Sequence, residues 1–288
     1  MAPPEVDPQI KARGRDVHWY KADIGEISEP ARRLFENYSR IPPDAVVPHI
    51  AEIRDRAWNI FPYPCIGQCR FLDLSISLSP LYPTILRRLK ESNHLLLDLG
   101  CCFAQDIRKL VSDGAPSENV FGADLRPEFV DLGYDLFRDR DTLKSRFLIG
   151  DIFDETTGST FREFDGKVDI IYAASFFHLF NWEDQVGMTE RVVRLLKPVE
   201  GSLILGRQRG NVNSGEYEHR TNSKATMFRH NEESWKEMWK QVGKATGSLW
   251  DVKVWLEKDE DFGRYGKNDG NIKLDLGDRG LRFEVSRI

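Results

Sequence analysis

Three aspartates stand at the ends of three successive apolar runs: LLLD at 95–98, VFGAD at 120–124 and FLIGD at 147–151. An ionised carboxylate offers only acceptors, so at a strand end it can bind hydroxyl or amino groups of a ligand. Asp124, closing the second run, can take both hydroxyls of a ribose. Asp151, closing the third, can take an exocyclic amine such as that of adenine, and Asp98 can take a cationic amine directly or through water. Gly100 lies 24 positions before Asp124. Without a Cβ it lets the backbone approach a ligand closely. Each aspartate alone would more often be a turn or cap residue. Together at successive strand ends they point to a nucleoside.

The first turn, LLLDLGCCFAQD at 95–106, narrows the choice. A dinucleotide brings a pyrophosphate, which is held by three spaced glycines and an open helix N-terminus. Here Gly100 fills the first glycine position, while Cys102 and Gln105 hold the other two, and Ala104 adds bulk. Asp106 would repel a pyrophosphate. S-adenosyl-L-methionine has no phosphate, carries a cationic sulfonium and an ammonium, and suits nearby acids. The cofactor set read from these turns is Asp98, Gly100, Cys102, Asp124 and Asp151, with the following residues Leu125 and Ile152.

Methyl transfer from such a cofactor is an in-line displacement that needs an oriented nucleophile. A carboxylate is ionised at neutral pH and needs no base, whereas a phenol calls for one. His178, after the fourth strand in SFFHLFNW, is the candidate base. The polar stretch 207–230 holds Arg207, Arg209, His219, Arg220, Arg229 and His230 and reads as a long lid-like loop. Arg207 and Arg209 are the candidate clamps for an acceptor carboxylate. Tyr20 and Phe177 join the acceptor set, within an aromatic group that includes Trp19, Phe61, Tyr63 and Phe71. Glu183 and Asp184 read as a helix start rather than a metal site. Cys65, Cys69, Cys101 and Cys102 match no common zinc spacing, so no metal is expected.

The elements that must position these residues alternate from residue 94 onward. Strands are expected at HLLLDLG, NVFGADL, RFLIGDIF, VDIIYAASFF and GSLILGRQ. Helices are expected at AQDIRKLVSDG, PEFVDLGYDLFRDRDTL, WEDQVGMTERVVRLLKP and NEESWKEMWKQVGKATG, the last capped by Asn231 with Glu233 close by. The closing segments WDVKVWLEK and GLRFEVSRI have a long loop between them, able to hold a short strand, and pair antiparallel. Alternation of this kind gives an α/β fold with a doubly wound, mostly parallel seven-stranded sheet. Residues 1–89 read as a tail and an N-terminal helical cap, with helices over 28–60 broken by Pro42-Pro43. Ser28 caps the first of these, and Ile50, Ile53 and Trp58 stripe the second. Residues 90–288 read as the cofactor-binding domain.

The chain has 288 residues, 40% hydrophobic and 30% charged, with net charge −5. This weakly acidic balance points away from nucleic acid and anionic membranes. There is no apolar run long enough to cross a membrane and no apolar core near the N-terminus, so a cytoplasmic enzyme is expected. The oligomeric state is left open, a homodimer included.

Read in order, LLDLGCCFAQD, GADLRPEFVDLG, FLIGDIFD, DIIYAASFFHLF and RVVRLLKPVEGSLILG resemble the five motifs of class I S-adenosylmethionine-dependent methyltransferases, over about residues 90–288. The N-terminal WYKADIGEISEPAR and FPYPCIGQCRFLDLSIS are similar to fungal meroterpenoid and polyketide gene-cluster methyltransferases. That resemblance implies an O-methyltransferase esterifying a carboxyl group of an aromatic or terpenoid small molecule. A phenol O- or C-methyltransferase is the alternative within the class. A cofactor-binding cyclase, pericyclase or non-catalytic subunit is the alternative outside it.

Overall fold

The computed structural model describes residues 8, 14–17, 19–219, 222, 225–257 and 277–288. The strands are β1 (Leu96–Leu99), β2 (Val120–Asp124), β3 (Phe147–Ile149), β4 (Ile170–Ala174), β5 (Leu203–Asn211), β6 (Gly215–Glu218), β7 (Thr226–Arg229), β8 (Trp250–Leu256) and β9 (Asp278–Arg287). The helices are α1 (Glu29–Arg33), α2 (Val46–Ile60), α3 (Pro64–Gly67), α4 (Tyr82–Glu91), α5 (Gln105–Ser112), α6 (Pro127–Phe137), α7 (Trp182–Leu195) and α8 (Glu232–Thr246). Seven strands form one sheet in the order β3-β2-β1-β4-β5-β9-β8, and β6 and β7 form a separate pair. The β2–β3, β1–β4 and β4–β5 pairings are parallel, while β9 runs antiparallel to both β5 and β8. All four residues of β1 are buried, as expected for a strand covered on both faces.

The chain divides into two compact units: one joins Ala2–His94 to Cys101–Ile149, the other joins Leu95–Gly100 to Gly150–Ile288. In the first, the N-terminal helices share a core with α6. Ala31, Leu34, Phe35, Ile50, Ile53, Trp58 and Phe61 pack with Phe103, Phe129, Leu132 and Phe137. Phe35 and Phe137 stack at 5.3 Å. Arg108 grips Asp139 with two bonds of 2.9 Å, and the Tyr38 phenol donates to the same carboxylate at 2.7 Å. A buried charge pair needs such additional bonds to offset its desolvation. Ser28 precedes α1, but its side chain makes no cap hydrogen bond; its carbonyl accepts from the Arg32 amide instead. The expected helix after Pro127 stops at Phe137, where Arg138 turns left-handed at φ 53°.

In the second unit, β5 runs on through Asn211, and the β6–β7 hairpin follows. The stretch 207–230, expected as a loop, is therefore largely strand; Arg220 lies outside the described residues. Asn181 caps α7 by accepting from the Asp184 amide. Asn231 and Ser234 form the reciprocal cap of α8, so Ser234 takes the place that the sequence suggested for Glu233. Gly247 ends α8 in the left-handed region, a conformation without penalty for glycine. The short strand expected in the loop before residue 277 falls outside the described residues.

Candidate active site

Within the unit of β1, β4 and β5, the turn after β1 begins at Gly100 with φ 68°. A Cβ there would lie 2.7 Å from the Phe176 ring, so both conformation and space require glycine. Phe176 follows Ser175, a non-glycine residue at φ 57° whose amide donates to the Arg207 carbonyl at 2.7 Å. Left-handed non-glycine residues carry strain and concentrate at functional turns. Phe180 packs edge-on against Phe176 at 5.6 Å and Phe153 at 5.4 Å, giving a half-buried aromatic group. The hairpin is tied to this turn: the Phe228 amide donates to the Phe180 carbonyl at 2.8 Å, and Gln185 donates to both carbonyls.

Asp98 is buried, and Asp151 is half-buried, accepting from the Phe153 amide at 3.0 Å. Ile152 is buried. His178 is half-buried in a short helical turn, Phe177–Leu179. Phe177 is a correction to the acceptor set: it is fully buried, edge-on to Trp235 at 5.3 Å and Phe283 at 5.7 Å, and serves the core. Arg209 is a second correction. Its guanidinium pairs with Asp278, which also binds Arg229 at 2.7 Å and Asn211 at 3.0 Å. Arg207 is buried in β5, opposite Ala174 of β4 and Arg282 of β9. His230 is buried with its ring nitrogens on Ser234 and Gln185, and burial pushes its pKa down to about 3.

Within the other unit, Cys102 and Ala104 both adopt φ 50°, the conformation that glycine would take at those positions. The Cys102 amide donates to Asp124 Oδ2 and the Arg126 amide to Asp124 Oδ1, each at 2.9 Å. Burial raises the Asp124 pKa from its ordinary value, and the amides of Arg126, Cys102 and Leu125 together with the Arg126 charge oppose that rise. A carboxylate has roughly four lone-pair sites, so Asp124 retains acceptor capacity for a ribose hydroxyl. Asp106 is buried in the first turn of α5 and accepts from the Ile76 amide at 2.9 Å. A carboxylate there is incompatible with a pyrophosphate at that helix end. These residues fit a phosphate-free nucleoside.

Tyr20 is also engaged elsewhere than expected. Its phenol donates to Asp55 at 2.6 Å, its ring meets Trp58 at 4.9 Å, and Arg54 lies over it at 4.8 Å. All four cysteines are free thiols, and burial pushes the Cys69 thiol up to about 11. Among the described residues, no three His, Cys, Asp or Glu side chains converge as a metal site. Nor does any helix among them have the length and apolarity to cross a membrane. Sequence reasoning assigned no role to Phe176, to Arg126 or to Tyr63 as a partner of Arg126. For Arg126 a signal existed, since it stands two residues after the strand-end Asp124.

Residues 19–72 match the family described as meroterpenoid methyltransferase N-terminal domain, and residues 96–199 match the methyltransferase domain family. The chain is 46% identical over 285 residues to O-methyltransferase atr3 of Stereocaulon alpinum, covering 99% of this chain and 80% of that protein. It is 45% identical to O-methyltransferase phiE of Fungal sp. (strain ATCC 74256), covering 87% and 83%. It is 43% identical to the asnovolin E/chermesin D methyltransferase nvfJ of Aspergillus novofumigatus, covering 82% and 84%. Phosphoethanolamine N-methyltransferase 2 of Haemonchus contortus, solved with S-adenosyl-L-methionine, shares the fold at TM-score 0.50 and 14% identity. The match covers 91% of this chain and 60% of that one. The chain belongs to the S-adenosylmethionine-dependent methyltransferases, in the family that carries the meroterpenoid methyltransferase N-terminal domain.

Proposed function

We propose that this methyltransferase esterifies a carboxyl group of an aromatic or terpenoid small molecule in secondary metabolism. The observation that carries this reading is the state of the histidines around the hairpin. Burial keeps His230 neutral, its ring nitrogens on Ser234 and Gln185, and burial also lowers the pKa of His219, which leaves His178 as the candidate base after the parallel strands. A carboxylate acceptor needs no base, because it is ionised near neutral pH. The O-methyltransferase relatives agree with an oxygen nucleophile.

S-adenosyl-L-methionine, when bound, supplies an electrophilic methyl group on a sulfonium. On this reading Asp124 accepts from the ribose hydroxyls, and Leu125, Asp151 and Ile152 flank the adenine. Asp98 takes the cationic amine, while Gly100 and Cys102 present backbone. Arg207 is the cation assigned to the acceptor carboxylate, Arg209 being committed to Asp278. Phe153, Phe176 and Phe180 offer flat apolar faces to an aromatic acceptor and exclude water from the reacting oxygen.

The test is incubation of the purified enzyme with isotopically labelled cofactor and a panel of aromatic carboxylic acids, followed by mild alkali. A methyl ester releases labelled methanol on hydrolysis. A product that keeps its label through alkali is an aryl ether or a C-methyl compound, and that outcome replaces the carboxyl reading with the phenol or carbon one.

A further inference from the structure

The Asp124 carboxylate is held by more than its own turn. Arg126 supplies the amide that bonds Asp124 Oδ1 at 2.9 Å. The side chain of the same residue lies over the Phe61 ring, 4.7 Å from its centroid, and its charge acts on the Tyr63 phenol. Phe61 and Tyr63 pack on each other at 4.2 Å, and Tyr63 meets Phe129 of α6 at 6.0 Å. Both lie in the N-terminal stretch 19–72, roughly sixty residues before Arg126 and Phe129, which they meet. Their backbone is fixed too: the Tyr63 amide donates to the Phe61 carbonyl at 2.8 Å, and the Tyr63 carbonyl accepts from Gly67 at 3.1 Å.

Simple packing does not require this arrangement. An aliphatic side chain at 126 would cover Phe61 equally well. A guanidinium adds a charge that the ring face attracts. It also places that charge where it favours the ionised form of Asp124. Arg126 therefore acts on one carboxylate through its amide and through its charge, and two N-terminal aromatic residues determine where it stands.

We propose that Phe61 and Tyr63 are positioning residues of the cofactor site: they grip the Arg126 guanidinium and, through the Arg126 amide, fix the Asp124 carboxylate. The N-terminal segment thus sets cofactor affinity as well as building core. This inference rests on the assignment of Asp124 to the ribose hydroxyls.

The experiment is calorimetric titration with S-adenosylhomocysteine across pH, on wild type, Tyr63→Phe, Phe61→Leu, Arg126→Lys, Arg126→Gln, the Tyr63→Phe/Arg126→Gln pair and Asp124→Asn. Melting temperatures report folding. Arg126→Gln is expected to weaken binding about tenfold, the scale of an interaction with a charged group, and Tyr63→Phe roughly threefold. The pair should bind no more weakly than Arg126→Gln alone, because the phenol acts through the guanidinium. Arg126→Lys should fall in between, keeping the charge without the fork. Titratable and charged neighbours of Asp124 include Arg126, the Tyr63 phenol and the Cys65 thiol. Loss of the Arg126 charge should move the acid limb of binding to higher pH. Acceptor KM should stay unchanged. If Asp124→Asn weakens binding while the Tyr63 and Arg126 variants bind within twofold of wild type, the positioning role is overturned and the ribose assignment stands. If Asp124→Asn binds as wild type, both fall. Should Arg126→Gln fail to fold, Tyr63→Phe and Arg126→Lys decide.

Discussion

The Cys102 amide reaches Asp124 Oδ2 at 2.9 Å from a left-handed backbone at φ 50°, and Ala104, two residues on, is left-handed as well. A side chain in this region costs roughly 1–2 kcal/mol, a cost that glycine avoids. Cys102→Gly and Ala104→Gly should therefore each leave stability unchanged or raise it by up to about 1 kcal/mol, with cofactor affinity retained. Gly100→Ala should do the reverse. Its Cβ would meet the Phe176 ring at 2.7 Å in a conformation that alanine resists. Urea unfolding and S-adenosylhomocysteine titration check all three, and a destabilised Ala104→Gly would contradict the strain argument.

His178 separates the two oxygen acceptors. With a carboxylate acceptor, His178→Ala should keep kcat within about threefold of wild type, since no proton has to be removed. With a phenolic acceptor the same substitution should cost roughly 10²–10⁴ in kcat, the usual contribution of a general base. Steady-state kinetics with one acceptor of each kind gives the answer.

His230 makes stability depend on pH. In the folded chain burial holds its pKa near 3, against 6.5 when unfolded. Between these values the unfolded state binds a proton that the folded state refuses. The contribution of the neutral ring is thus complete above pH 6.5 and is lost as pH falls towards 3. The slope from this one group is about 1.4 kcal/mol per pH unit. Denaturant melts at stepped pH should show this slope, and His230→Gln should flatten it.

Asp278 is shared by Arg229 and Arg209 in a buried cluster. Removing one partner of a buried pair leaves uncompensated charge and typically costs about 3–5 kcal/mol. Asp278→Asn should lose about that much in urea unfolding. The damage should centre on the β6–β7 hairpin, where Arg229 also lies over Tyr217 at 4.2 Å. Amide exchange resolved by residue locates it.

Most of the sheet was legible because its signals are local. LLLD, VFGAD and DIIYAA are short apolar runs that end in turn residues, and each is a strand. Pro127 marks a helix start, and Gly247 marks an end, because fixed φ and left-handed freedom act within a single turn. The stretch 207–230 was not legible as β-structure. Its polar and charged residues read as a solvated loop, yet Arg209 and Arg229 turn inward to Asp278, 69 and 49 residues further on. The Ser28 cap failed for a related reason: a serine before a helix is permissive, and the backbone carbonyl took the bond instead.

By itself the sequence determined the alternation of strands and helices, the carboxylates at three strand ends and the exclusion of a pyrophosphate by Asp106. All of these depend on residue type and near spacing. Tertiary structure alone decided which candidate side chains became structural. Phe177, Arg209 and Tyr20 were chemically suited to an acceptor, but each met a partner distant in sequence: Phe283, Asp278 and Asp55. It also placed Phe61, with Tyr63 packed against it, on Arg126. The physical reason is that burial makes a partner obligatory for a polar group, while the fold, through pairings across tens of residues, selects which partner is within reach.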